Sequence, residues 1–247
     1  MYRFFIPEPQ LQYPIATLTG PDINHVKNVL RLQPGEYIRL FDGTGMEYTG
    51  QIISISSHFV RIEIIEKTAP ATESPLHISI AQSYLKEKKM DLLIRQLTEL
   101  GVSFWFPFFS ERSVPLPDQK KLALRRQRWK KIAIEAVKQC RRNRLMEVGQ
   151  ALSFNEMLLS AKNSDLKIIF WENADLALNS NKIFLEKKNI RSVYVVIGPE
   201  GGFSKDEIKK ALQQGFLPVK MGPRILRAET ATIAACALLQ YMFGDFV

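Results

Sequence analysis

Two short stretches carry the residue types from which a ligand site could be built. The first, Gly198-Pro-Glu-Gly-Gly202, follows the apolar run Val193–Ile197 and leads into Phe203-Ser-Lys-Asp-Glu-Ile208. The second, Gly222-Pro-Arg-Ile-Leu-Arg-Ala-Glu-Thr-Ala231, follows Phe216–Met221. In each, a strand-like run ends in Gly-Pro and a helix begins shortly after. Ser204 with Glu207 forms a capping box, which sets one helix N-terminus just past the glycines. Glycine lets main-chain amides and carbonyls come close to a ligand, and proline stiffens the bend. A structural turn has the same composition, so the first stretch alone does not decide between the two. The pair is more specific. Two Gly-Pro loops at the ends of consecutive strands can face each other across one crevice, which is where open α/β sheets bind ligands. Arg224 and Arg227 bring positive charge to it, and Glu200 and Glu229 bring negative charge. Neither loop is a G-x-G-x-x-G fingerprint or contains G-K-[ST], so a dinucleotide or P-loop phosphate site is poorly supported.

The elements that must hold these loops alternate. Leu76–Ala81 reads as a strand, and Lys86–Leu100 as a helix closed by Gly101. Strand Phe104–Phe108, a basic helix, and strands Leu166–Trp171 and Val193–Ile197 follow. Helix Lys205–Gln214, strand Phe216–Met221 and helix Ala228–Phe243 complete the series. Such alternation predicts an α/β domain with a mostly parallel sheet. The last helix is apolar nearly all round, which suits either deep burial or a subunit interface. Upstream lie strands at Tyr2–Ile6, Glu36–Phe41, Glu47–Ser56 and Phe59–Glu66, a short helix near Ile23–Leu30, and a turn at Asp42-Gly-Thr-Gly45. These predict a small β-barrel. The expected division is residues 1–68 for the barrel, 69–75 for a proline-bearing linker and 76–247 for the α/β domain.

Charge separates the two halves. Residues 1–70 hold six Lys/Arg against seven Asp/Glu, so the net charge of +9 comes from the remainder. Between Lys120 and Arg144 there are eleven Lys/Arg and one acid, Glu135. Trp129, Ile132, Ala133, Ala136, Val137 and Cys140 recur there at helical spacing, giving an amphipathic helix with a basic outer face. That face is either solvated surface or a footprint for the phosphates of a polyanion. Cys140 and Cys236 are expected to be reduced thiols in or near the core, and the N-terminus shows no secretory pattern, which together suggest a cytoplasmic protein. No apolar run is long enough for a bilayer, and three histidines without a Cys/His cluster argue against a zinc site, so neither membrane nor metal is expected.

"IGPEGGFSKDEI" and "MGPRILRAETA" resemble the two C-terminal signatures of the ribosomal RNA small subunit methyltransferase E family, of the SPOUT class. The resemblance runs over most of the chain. Asn28-Val-Leu-Arg-Leu32 with Gly35 and the Asp42-Gly43 turn are similar to the family's N-terminal barrel. Thr98-Glu-Leu-Gly-Val102, Ser110-Glu-Arg-Ser113 and Arg128–Arg142 resemble its next segments. Gln96 stands where the family usually has Lys, and Arg141 and Met146 replace a usual Gly and Pro.

The resemblance implies methylation of N3 of a uridine in 16S ribosomal RNA, uridine 1498, with S-adenosyl-L-methionine as methyl donor. It implies a PUA-like barrel, a C-terminal α/β domain tied in a trefoil knot, a homodimer, and the 16S rRNA of the small ribosomal subunit as partner. Ile197, Gly198, Pro199, Glu200, Gly201 and Gly202 are then expected to line the cofactor pocket with Met221, Gly222, Ile225, Leu226, Arg227 and Ala228. Uracil N3 must lose its proton before it attacks, and a cation would stabilise the resulting anion. Arg227 is the candidate for this role. Glu229 and Glu200 are candidates for proton removal, although a carboxylate in a helix first turn needs no catalytic reason. Arg3, Arg31, Arg112, Arg141 and Arg142 are the expected RNA contacts. A non-catalytic rRNA-binding assembly factor remains the alternative; cofactor binding separates the two.

Overall fold

The structure, a computed structural model, describes residues 1–113, 118–178 and 189–246. They form two compact units, Met1–Glu73 with Val137–Leu145, and Ser74–Ala136 with Met146–Val247.

The first unit is built on β1 (Arg3–Phe5), β2 (Leu11–Gln12), β3 (Ile15–Leu18), β4 (Tyr37–Phe41), β5 (Glu47–Ile55) and β6 (Val60–Thr68). The sheet order is β1-β4-β5-β6-β3-β2. β1 runs parallel to β4, and the other pairings are antiparallel. Period-two alternation is plain in β6: Val60, Ile62 and Ile64 are buried while Arg61 and Glu63 face water. They join Phe4, Leu18, Ile38, Leu40 and Ile52 in one core. The expected helix is a short α1 (Pro21–Asn24) continued by a π turn over His25–Val29. β2 and β3 were not expected, because prolines around them break the alternation.

The expected second domain contributes nine residues to this unit. Val137–Leu145 is held there by specific polar contacts: Gly45 N donates to Asn143 O at 3.0 Å and Leu145 N to Gly43 O at 3.1 Å. A Cβ on Gly43, whose φ is +81°, would lie 2.7 Å from Leu145 Cγ. The Asp42-Gly43 turn is therefore a docking point as well as a β4–β5 hairpin.

The second unit contains β7 (His77–Ser83), α2 (Glu87–Glu99), β8 (Phe104–Phe109) and most of α3 (Gln119–Cys140). It continues with β9 (Glu147–Val148), β10 (Leu152–Ser153), α4 (Phe154–Ser160) and β11 (Leu166–Phe170). β12 (Ser192–Ile197), α5 (Lys205–Gln213), β13 (Leu217–Val219) and α6 (Ala228–Phe243) follow. Strand order is β10-β8-β7-β12-β11-β13 with β9 beside β8, and every pairing is parallel. Both faces of the sheet are covered, as parallel sheets require. Val193, Val195 and Ile197 of β12 pack with Leu93 and Leu97 of α2, Trp129 of α3 and Leu239 of α6. Tyr194 and Val196 point the other way, towards Met157 of α4 and Ile208 of α5. The apolar character of α6 thus divides: Ala235, Cys236 and Leu239 are buried, whereas Leu238 and Tyr241 are exposed. Both cysteines are free, and burial pushes the Cys236 thiol far up. No described helix is long and apolar enough to cross a membrane, and no described group of three or more His, Cys, Asp or Glu could hold a metal ion.

Candidate active site

A cleft of about 640 Å³ opens at the carboxyl ends of β12, β11 and β13. The first Gly-Pro loop, Gly198 to Gly202, forms one wall, and the second, Met221 to Ala228, forms another. All twelve residues expected to contact a cofactor line this cleft. The two loops do not follow adjacent strands, however. β11 lies between β12 and β13, so Phe170, Trp171 and Glu172 at its end form a third wall that the sequence reading missed. The strand itself was legible; the crossover that puts β13 on its far side was not.

The glycines of the first loop are there for close approach. A Cβ on Gly198 would sit 2.8 Å from the Phe203 ring, and one on Gly202, at φ +67°, 2.9 Å from Glu172 Oε1. Arg112 Nη1 donates to Gly201 O at 3.1 Å, anchoring this loop to the Ser110–Ser113 turn. That turn is held in place by hydroxyls, Ser113 Oγ lying 2.8 Å from Ser83 Oγ and accepting from Ser110 N at 2.9 Å. Past the loop, Glu207 caps α5 through Ser204 and also accepts from Glu111 N at 3.0 Å. The N-terminus of α6 is fixed by Thr232, whose buried hydroxyl donates to Gln82 Oε1 at 2.5 Å. Arg227 occupies its N-cap without a side-chain cap, exposed at the cleft.

A charged side chain from α2 was not expected in the cleft either. Lys89, on α2, donates to Glu200 and, at 3.2 Å, to Glu229. The Glu200 bond raises Lys89 above the usual ammonium range. In return, Lys89 holds the Glu200 carboxyl below its usual range, helped by Lys86 and Arg227. Lys89 stood in the sequence inside a run of lysines, with no local sign that it reaches two distant carboxylates. The buried indole N–H of Trp171 has no hydrogen-bond partner among the described residues. Trp105 and Trp129 in the core share this orphaned indole N–H, so it does not mark a ligand contact by itself.

The five expected RNA contacts separate into two groups. Arg31, Arg112 and Arg141 are exposed. Arg3 and Arg142 are not, which corrects the sequence expectation. Arg3 donates to Glu47 Oε2 at 3.1 Å, to Val137 O at 2.8 Å, and to Arg142 O and Asn143 Oδ1. Its guanidinium also stacks 4.1 Å above the Phe41 ring. Arg142 pairs with Glu73 at 2.8 Å, and its side chain is 7% exposed. Their positive charge is spent inside the first unit, leaving little to offer a phosphate.

Comparison with known proteins agrees with this architecture. Residues 72–240 match the RNA methyltransferase domain family, and residues 18–65 match the RNA methyltransferase PUA domain. Ribosomal RNA small subunit methyltransferase E of Buchnera aphidicola is 35% identical over 229 residues, 93% of this chain and 88% of that protein. The Bacillus subtilis protein of the same name is 32% identical over 98% of this chain and 96% of its own length. The crystal structure of the Neisseria gonorrhoeae protein of that name, bound to S-adenosyl methionine, superposes with a TM-score of 0.86 at 34% identity, covering 100% of both chains. The fold is an α/β methyltransferase domain of the SPOUT class preceded by a PUA-like domain. The chain belongs to the ribosomal RNA small subunit methyltransferase E family.

Proposed function

We propose that this protein methylates N3 of a uridine in 16S rRNA, using S-adenosyl-L-methionine bound in the cleft at the ends of β11, β12 and β13. The observation that carries the reading is the convergence of the two Gly-Pro loops on that one cleft. Its volume suits a nucleoside-sized ligand. Main-chain groups of the two glycine-bearing loops line the cleft and could reach an adenosine.

When bound, the cofactor supplies an electrophilic methyl group on a sulfonium whose departure leaves a neutral thioether. The protein's work is then to hold N3 in line with that methyl and to ease loss of the N3 proton. Arg227, exposed where the second loop meets α6, is assigned to the anion that spreads over the uracil carbonyl oxygens. Glu200 is a poor proton acceptor in this arrangement. It is held ionised and weakly basic by Lys89, and Glu229 is tied to the same ammonium at 3.2 Å. Proton removal is assigned to solvent, which takes the N3 proton while Arg227 stabilises the anion that results.

For RNA, the reading retains Arg31, Arg112 and Arg141 as phosphate contacts. The exposed face of α3 is added, where Lys120, Lys130 and Lys131 point to water. Leu92 on α2, Leu238 and Tyr241 on α6 and Ile225 in the second loop are apolar and exposed, which supports a homodimer through this side of the second unit. The protein would act in the cytoplasm, on the small ribosomal subunit. Incubation with labelled S-adenosylmethionine and unmodified small subunits, followed by nucleotide mapping, tests the reading. Label at a single uracil N3 is expected; label on another base or atom, or none, overturns it.

A further inference from the structure

Lys89, Glu200 and Glu229 come from three separate elements, α2, the loop after β12 and the first turn of α6; Lys89 and Glu200 line the cleft, and Glu229 joins them through Lys89. Stability alone is a weak reason for this meeting, since partly exposed ion pairs contribute little to it. Glu200 keeps 43% and Lys89 29% of its side chain exposed. An ammonium carries three donors. Glu200 and Glu229 take two of Lys89's, and no further partner is described for the third or for Glu200 Oε2.

We propose that Lys89, Glu200 and Glu229 are the seat for the amino-acid end of the cofactor. Lys89 takes its α-carboxylate, and the two glutamates take its α-ammonium. The inference rests on the cofactor reading above and adds which residues recognise the methionyl zwitterion, as distinct from the adenosine. A zwitterion needs both signs of charge side by side, and a lysine between two glutamates provides them. With no ligand Lys89 bonds to both glutamates, and the cluster keeps one net negative charge that a ligand ammonium can meet. With a ligand they exchange partners without changing net charge. The Glu200 carboxyl is lowered and the Lys89 ammonium raised by their mutual hydrogen bond, which favours the charged form of both.

Calorimetry with two ligands tests this. S-adenosylhomocysteine has the amino-acid end; 5′-methylthioadenosine keeps the adenosine and the thioether but lacks it. In Lys89→Met, S-adenosylhomocysteine is expected to bind about tenfold or more weakly, the size of one charge-assisted hydrogen bond, while methylthioadenosine stays within about twofold. Lys89→Arg, which keeps the charge, should recover much of the loss. An equal loss for both ligands would make Lys89 a structural tie between the loops and overturn the proposal, as would no loss for either. If the unaltered protein bound neither ligand, the cofactor reading would fall, and this inference with it.

Discussion

The arginines of the first unit and the cations of the cleft are chemically alike and do opposite things. Arg3 meets Glu47, two backbone carbonyls, Asn143 and the face of Phe41, and Arg142 closes on Glu73. These guanidinium groups are saturated. At the cleft, Arg227 stands at a helix N-cap with no side-chain hydrogen bond among the described residues, Arg112 donates from Nη1 to one carbonyl, and Lys89 shares itself between two carboxylates. The difference lies in burial. A buried charge must have its partners built in, because leaving it bare costs several kcal/mol. A half-exposed one can keep donors for a ligand, because water stands in until the ligand arrives.

The largest effect should come from breaking the saturated side. Arg3→Ala leaves Glu47 with Arg39 alone and takes a donor from Asn143 and two backbone carbonyls, so we expect a loss of about 3 kcal/mol, read from denaturant unfolding of the first unit. Methyl transfer per folded molecule should change far less. The reverse pattern is expected for Arg227→Ala: stability within about 0.5 kcal/mol, and kcat with saturating RNA reduced about 10²–10³-fold. An unstable but fully active Arg227→Ala, or a stable but inactive Arg3→Ala, would dissolve the comparison.

Acid sharpens it further. Burial works against charge on Glu73, but Arg142 and the amides of Asn143 and Arg144 outweigh it and hold the carboxyl below its usual range. A carboxyl lowered in the folded state stabilises fully above its unfolded value, and that contribution is lost as pH falls through the folded one. The melting temperature should therefore drop on acidification below the ordinary carboxylate range. In Glu73→Gln that part of the slope should vanish. A slope unchanged by Glu73→Gln would mean that the Val137–Leu145 segment is held by something else.

Much of this division was not legible in the sequence. The Gly-Pro loops, the capping box at Ser204 and the limits of Ala228–Phe243 were legible, because each depends on residues within a few positions of one another. The third cleft wall was not, since it depends on β13 crossing to the far side of β11. Arg3 looked like any surface arginine near an N-terminus; its partners, Val137 and Asn143, are more than 130 positions away. Lys89 was hidden for the same reason, facing Glu200 and Glu229 across 111 and 140 positions. Charge is read from a sequence easily. Whether that charge is already satisfied is decided by contacts that only the fold brings together.

Arg141 stands between the two kinds of cation and gives the finest test. It is exposed, yet its φ is +67°, the left-handed region where a side chain is strained and glycine is at ease. It lies just past Cys140, the last residue of α3, and its amide still bonds to Val137 O at 3.1 Å. Glycine is favoured just past a helix end for this reason. Keeping arginine here costs backbone strain, and the strain is offset only if the guanidinium has a use. Arg141→Gly should therefore raise stability slightly, by up to about 1 kcal/mol once the greater freedom of an unfolded glycine is subtracted. The same change should weaken RNA binding at low salt and lower the salt slope by about one phosphate contact. Arg141→Lys should keep the RNA affinity and gain no stability. If Arg141→Gly stabilised the protein and left RNA binding untouched, Arg141 would be strain without a ligand, and Arg31 would be the remaining proposed phosphate contact of the first unit.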